Sequence, residues 1–176
     1  MQHLAPRLPQ VALVGPPNVG KSLMFNRLTG SYVVVSNYPG TTVEVTRGRL
    51  WLPCCGRPIG IVDTPGMHAM IPITEEERVA RRILLEEDPA LVASVVDAKN
   101  LERMLPFTFE LIEAGFRVIL IMNLMDEARR KGLSLDAQRL QQELGIPVQA
   151  TVSTTGSGLS QVVDLISEVV CGHTGA

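Results

Sequence analysis

At 176 residues, with 18 acidic against 16 basic side chains and 45% hydrophobic residues, the chain is long and apolar enough for one buried core. The net charge of −2 supplies no general field for nucleic acid or anionic lipid, and the aliphatic composition excludes a disordered polymer. The longest apolar stretch, Val118–Met122, is far too short to span a bilayer, and Met1–Gln10, with Pro6 and Pro9, has no signal-peptide core.

Short aliphatic runs alternate with longer amphipathic segments, which predicts βα units around a mostly parallel sheet. Val11–Gly15 reads as the first strand and Gly20–Leu28 as the first helix. The segment Ser36-Asn37-Tyr38-Pro39-Gly40-Thr41-Thr42 is a poor helix or strand because of its Pro and Gly, which suits a mobile loop. Thr42–Trp51 and Pro58–Asp63 read as an antiparallel pair joined across Pro53-Cys54-Cys55-Gly56-Arg57. Glu75–Glu86 is helical, with acids early and Arg78, Arg81 and Arg82 later.

Leu91–Val96 is a buried strand by its continuous apolar run, and Asn100–Glu113 a helix that Gly115 ends. Val118–Met122 is the next central strand. Ser134 caps a helix through Leu144, stopped by Gly145 and followed by Pro147. Val148–Thr151 is the last strand and Leu159–Val170 the last helix. The expected whole is one α/β domain over residues 9–170, with a six-stranded, mostly parallel sheet and helices on both faces. A flexible N-terminus, residues 1–8, and a tail, residues 171–176, flank it.

Cys54, Cys55 and Cys171 do not make a disulfide framework, since two are adjacent and a vicinal bridge would strain the chain. A reducing cytosolic compartment is the easier reading. Metal ligation is the sharper alternative, weakened because His3, His68 and His173 show no ligand spacing with the cysteines.

Gly15-Pro16-Pro17-Asn18-Val19-Gly20-Lys21-Ser22 matches the phosphate-binding pattern G-x-x-x-x-G-K-[ST], between a predicted strand and a predicted helix. Gly15 and Gly20 permit a tight loop whose N–H groups, Val19's among them, converge on phosphate oxygens. The following helix, which opens Lys21-Ser22-Leu23, adds the partial positive charge of its N-terminus. Lys21 is expected to reach the β- and γ-phosphates, and the Ser22 hydroxyl to ligate Mg2+. This loop leaves the base open, because ATPases and GTPases share it.

Asp63-Thr64-Pro65-Gly66 follows an apolar strand, and an acid there can hold Mg2+, usually through water. Gly66 lets its backbone N–H approach a γ-phosphate. Between the two motifs, Thr42, preferred over Thr41, is expected to complete the Mg2+ shell and to order its loop only with the triphosphate. Met67 stands where Ras-like proteins commonly carry a water-orienting glutamine. Methionine cannot do that work, so a slow intrinsic rate is expected.

Asn123-Leu124-Met125-Asp126 is N-x-x-D after an apolar strand. The Asp126 carboxylate can accept from guanine N1–H and the exocyclic amine; adenine offers neither donor. Asn123 is expected to brace the loop and approach the base edge, and Leu124 to supply aliphatic cover. Ser153-Thr154-Thr155-Gly156-Ser157-Gly158 resembles the base-supporting loop of GTPases, with Ser153, Thr154 and Thr155 near the base; a flexible serine/glycine turn is its rival.

The combination is narrower than a generic GTPase. Gly15–Ser22, Asn37–Glu44, Val95-Val96-Asp97-Ala98-Lys99-Asn100-Leu101-Glu102-Arg103, Asn123–Ala128 and Glu76–Ala80 together resemble FeoB, ferrous iron transport protein B, over about residues 9 to 170. The resemblance implies a Ras-like G domain, cytosolic at the inner face of a bacterial membrane, that binds GTP and GDP with Mg2+ and hydrolyses GTP slowly. Its implied partner is a transmembrane iron-transport region of the same or another chain. It also implies K+ stimulation, with Asn18 at the asparagine position associated with that cation.

Pro16 departs from the asparagine usual in the family and removes one N–H donor. FeoB proteins continue into a helical domain and a large transmembrane region, which these residues do not contain. Iron is not expected to bind here, since the sequence displays no ligand cluster. Nucleic acid is not an expected partner, and dimerisation through the switch face stays open. Rival readings are a GTPase of the Era or MnmE kind acting on RNA or ribosomes, and a guanine-nucleotide switch module that does not hydrolyse. A P-loop ATPase or kinase is the third, and Asp126 argues against it.

Overall fold

The computed structural model describes residues 8–172; the expectations for residues 1–7 and 173–176, with His3 and His173 among them, lie outside these. Strands β1 (Gln10–Val14), β2 (Val33–Asn37), β3 (Glu44–Leu52), β4 (Arg57–Asp63), β5 (Leu91–Asp97), β6 (Val118–Asn123) and β7 (Val148–Ala150) form one sheet. Their order is β2-β3-β4-β1-β5-β6-β7. β1 pairs in parallel with β4 and β5, β5 with β6, and β6 with β7, while β2 and β3 run antiparallel at one edge.

Helices α1 (Lys21–Thr29), α2 (Glu75–Glu86), α3 (Leu101–Glu113), α4 (Met125–Arg130), α5 (Ala137–Leu144) and α6 (Leu159–Cys171) cover the sheet. The period-2 alternation of β1 divides the core. Val11 and Leu13 face Met24 and Phe25 of α1 and Val162 and Ile166 of α6. Ala12 and Val14 face Val79, Ile83 and Leu84 of α2 and Phe107 and Leu111 of α3. Every residue of β5 and β6 is buried, which is why both read as unbroken apolar runs. Each fully buried Leu or Ile here stabilises the fold by roughly 1.5–3 kcal/mol.

Three expectations need correction. The sheet has seven strands, because Val33-Val34-Val35 opens an edge strand that pairs Val33 with Gly48 and Asn37 with Glu44. Its β-branched residues favour extended backbone, but all five positions are exposed, so no alternation marked it. Ser36 and Asn37, read as loop, belong to this strand. Second, Ser134 does not cap α5; the Asp136 carboxylate does, accepting from Arg139 N at 3.0 Å. Third, the cysteines are not unrelated. Cys55 and Cys171, read as reduced, are joined as a disulfide with Cα atoms 6.4 Å apart, because the fold sets the β3–β4 turn against the end of α6, and α6 runs through Cys171 into the segment read as a tail.

The hairpin expected across Cys54-Cys55 is present, with Leu52 paired to Arg57 at its closed end and Thr46 paired to Asp63 at its open end. That register sets the open end of β3 level with the C-terminal end of β1 across Asp63 of β4, where the phosphate-loop sequence begins.

Candidate nucleotide-binding site

The loop Gly15–Gly20 joins β1 to α1, as the pattern predicts. Asn18 adopts a left-handed backbone at φ 63° and is exposed. Gly20, at φ 93°, is required on two counts: the backbone lies in the region that favours glycine, and a Cβ would stand 2.3 Å from Asn123 Nδ2. Lys21 curls back over the loop and is buried, its Nζ donating to Gly15 O and Pro16 O at 3.1 Å each. The Pro16 carbonyl thus stays in use although its N–H is missing. Leu23 lies exposed in the first turn of α1, and Val19 is buried beneath the loop.

Ser22 Oγ donates to Asp63 Oδ2 at 2.7 Å, joining the first turn of α1 to the end of β4. Burial raises the Asp63 carboxyl above the usual carboxylate range, opposed by the Ser22 hydrogen bond and by Lys21. Burial also lowers the Lys21 ammonium, opposed by Asp63. Asp63 Oδ1 is buried with no hydrogen-bond partner. A buried carboxylate oxygen left unpaired next to a serine hydroxyl is a costly arrangement that a hard cation with its water shell relieves.

Thr64 N and Oγ1 donate to Leu13 O, at 3.2 and 2.8 Å, and Met67 N donates to Gly15 O at 3.0 Å. These bonds lay the Asp63–Gly66 turn against the phosphate loop. Gly66 fits only because it lacks a side chain: a Cβ would stand 2.6 Å from Pro17 Cγ. The Met67 side chain is wholly buried in the α2–α3 face of the core. It therefore offers the site neither a polar group nor its volume.

Between β2 and β3, Tyr38 N donates to Val43 O, and the Thr41 hydroxyl is spent locally, donating to Tyr38 O at 2.9 Å and accepting from Val43 N at 3.2 Å. Thr42 is exposed, two residues before β3, and no hydrogen bond ties it to Ser22 or Asp63 among the described residues. The residues beyond Gly66 are held by two carboxylates that sequence reasoning missed. Glu77 accepts from Ile73 N and Thr74 N at 2.8 and 3.3 Å and meets His68 Nδ1 at 3.2 Å, and Glu110 accepts from Met70 N at 2.6 Å. The signal for Glu77 was present: Thr74 and Glu77 form a capping box.

At the far side, Asn123 is fully buried. Its Nδ2 donates to Val19 O at 2.9 Å, and its Oδ1 accepts from Thr151 Oγ1, Ser153 N and Ser153 Oγ, each at 3.0 Å. One amide thus joins the phosphate loop, β6 and the loop after β7. Leu124 takes a left-handed backbone at φ 60°, which turns the chain into α4. Asp126 sits half-exposed in that first turn, and its Oδ2 accepts from Arg130 at 2.7 Å.

Residues 153–158 form a closed turn, not a loose one: Val152 bridges to Ser157, Thr155 Oγ1 donates to Val152 O at 3.2 Å, and Arg27 of α1 donates to Thr154 O. A further brace, also unread from sequence, runs from Lys99 to Asp97 and to Glu127 of α4; both carboxylates raise the ammonium, Glu127 more strongly.

The sequence profile of the family described as ferrous iron transport protein B matches residues 9–166. The chain is 41% identical over 161 residues to an Fe(2+) transport protein A/Fe(2+) transporter FeoB fusion protein of Porphyromonas gingivalis, covering 91% of this chain and 19% of that protein. It is 36% identical to the Fe(2+) transporter FeoB of Synechocystis sp., covering 92% and 26%. The chain thus spans about a fifth to a quarter of the length of these curated relatives. The crystal structure of the cytosolic domain of the T. maritima FeoB iron transporter in a GMPPNP form superposes with a TM-score of 0.88 at 40% identity, covering 95% of this chain and 66% of that one. The isolated G domain of the same transporter superposes with a TM-score of 0.84 at 40% identity, covering 92% and 98%.

Proposed function

The chain belongs to the ferrous iron transport protein B family, and from that premise we propose that it is a GTP-binding and slowly GTP-hydrolysing G domain regulating Fe2+ transport by a membrane region. The proposal places it at the inner face of a bacterial membrane. Among the described residues no helix is long and apolar enough to cross one; the proposed partner is a transmembrane region of the same or another chain. The observation that carries the reading is the convergence of Lys21, Ser22, Asp63 and Asn123 on one phosphate loop, Lys21 bonded to the loop's own carbonyls, Ser22 to Asp63 at the end of β4, and Asn123 to Val19 from the end of β6.

The residues have separable work. Lys21, whose ammonium now rests on two loop carbonyls, exchanges these for phosphate oxygens without leaving its buried position. The amides around Gly15, Asn18 and Gly20, with the N-terminus of α1, face the phosphates. Ser22 and Asp63, with its orphaned Oδ1, fit Mg2+, which would supply charge neutralisation at the β- and γ-phosphates. Thr42 is the threonine for that shell, because the Thr41 hydroxyl is committed to its own turn. Gly66, packed on Pro17, has an N–H that closes on a γ-phosphate when the switch orders. Asp126 reads guanine, releasing Arg130 as it does so. Asn18, exposed and left-handed, presents an amide for K+.

The test is binding of fluorescent GDP, GTP and ATP analogues with Mg2+, together with turnover in Na+ and in K+. Guanine-only binding with turnover raised by K+ supports the reading, and Asp126→Asn should shift preference towards xanthosine nucleotides. Equal binding of ATP would remove Asp126 from the base. The burial of Met67 favours one second reading, a switch module that binds GTP and hydrolyses negligibly by itself; guanine binding without turnover would establish it.

A further inference from the structure

The sequence places Cys54 and Cys55 in the β3–β4 turn and Cys171 at the other end of the chain, 116 residues after Cys55. The fold brings all three together, their sulfurs lying within 4.8 Å of one another. Cys54 Sγ stands 3.7 Å from Cys55 Sγ and 3.4 Å from Cys171 Sγ, while Cys55 and Cys171 are joined to each other as a disulfide and Cys54 is free. A Cys55–Cys171 disulfide alone needs nothing from Cys54. Three thiolates around one tetrahedral cation with metal–sulfur bonds of about 2.3 Å would be separated by about 3.8 Å, which is close to the spacing of Cys54 to both partners.

We propose that, once a cytosolic dithiol has reduced the Cys55–Cys171 bond and has itself been oxidised to a disulfide, Cys54, Cys55 and Cys171 form a three-thiolate site for a thiophilic divalent cation, clamping the β3–β4 turn to the end of α6. The donor set is soft, which selects zinc-like or ferrous ions over Mg2+. Local structure supports it. The turn is closed by Cys55 N donating to Leu52 O at 3.3 Å, so the two neighbouring sulfurs are presented by an ordered backbone. Cys55 and Cys171 are half-buried against the α1–α6 side of the core, while Cys54 is exposed and leaves an open approach and a fourth coordination position.

Cys171 is the last residue of α6, where the unpaired carbonyls carry partial negative charge that favours a nearby cation. The site is distinct from the nucleotide site: β4 runs from Arg57, two residues past Cys55, to Asp63 at its opposite end, a span of about 20 Å. It does not depend on the nucleotide reading.

The test is an anaerobic Co2+ titration of the whole chain, reduced beforehand and shown by thiol counting to hold three free cysteines. The expected result is one equivalent of tetrahedral cobalt with thiolate-to-metal charge-transfer absorption, displaced by Zn2+ or Fe2+ but not by Mg2+. Cys54→Ser, Cys55→Ser and Cys171→Ser should each weaken binding at least tenfold, with an unchanged far-ultraviolet circular dichroism spectrum and a cooperative urea transition as proof that each variant is folded. Wild-type cobalt affinity in Cys54→Ser would overturn the proposal in favour of a two-cysteine link. So would absence of the charge-transfer band in the fully reduced chain, or equal displacement by Mg2+.

Discussion

Asn123 Nδ2 donates to the carbonyl of Val19 at 2.9 Å, a bond between residues 104 positions apart that fastens the phosphate loop to the end of β6. The same amide accepts three further bonds from Thr151 and Ser153. It is therefore as much a part of the phosphate loop's geometry as of the loops that follow β6 and β7. Replacing it by alanine strands buried donors at Thr151 and Ser153 and a carbonyl at Val19. Asn123→Ala should lose about 2–4 kcal/mol of stability and weaken GDP and GTP alike. Urea unfolding beside nucleotide titration checks this, and a variant with unchanged stability and selective loss of GTP would contradict the bracing role.

Met67 stands next to Gly66 in the position where a glutamine would be sought, yet its side chain is fully enclosed by the core. Met67→Gln should therefore not raise GTP turnover. It should instead cost about 1–3 kcal/mol by burying an amide without partners. Turnover and thermal unfolding of the variant decide the matter; a faster enzyme of unchanged stability would show that the residue can swing out to the phosphate.

Glu77 is held down at about 2, against 4.5 for a free carboxyl, first by the Ile73 N–H and then by His68 and Thr74, with burial opposing. Because the folded value is depressed, the carboxylate's stabilising contribution is complete above about pH 4.5 and is lost as pH falls towards 2. Chemical denaturation at a series of pH values should show that slope in the parent chain and a flatter one in Glu77→Gln. Glu77→Ala should also lose the capping box, at a cost of about 1 kcal/mol, and increase protease cutting between Met67 and Thr74.

Removal of Mg2+ should weaken binding of GTP analogues to the parent chain by tenfold or more, a change of about 1.4 kcal/mol. The loss should be nearly absent in Ser22→Ala, which has already given up the hydroxyl beside Asp63. Titrations with and without a chelator measure it. An equal chelator effect in the variant would place the cation away from Ser22.

Most of the strand and helix order was legible in the sequence, because β1, β5 and β6 are buried and so appear as mainly aliphatic runs, and because acids early and arginines later mark Glu75–Glu86 as a helix. The phosphate loop was legible for a different reason: its chemistry demands glycine, lysine and serine at fixed neighbouring positions, so local order carries the whole signal. β2 was not legible, since an exposed edge strand has no apolar face to alternate with a polar one. Nor was the contact of Glu110 with the segment after Gly66, since it comes from another helix, whereas Glu77 left a signal in its capping box with Thr74 that went unread.

By itself the sequence determined the alternation of strands and helices, the phosphate loop and the family resemblance, all of which rest on residues close together in the chain. Only the tertiary structure decided that Met67 is core and not catalytic surface, that Thr41 is locally spent while Thr42 is exposed, and that Asn123 unites three loops. The gathering of Cys54, Cys55 and Cys171 belongs with these. The physical reason is common to them: burial and partnership between distant residues depend on how β-strands register and helices pack, and no local pattern of residue types records that outcome.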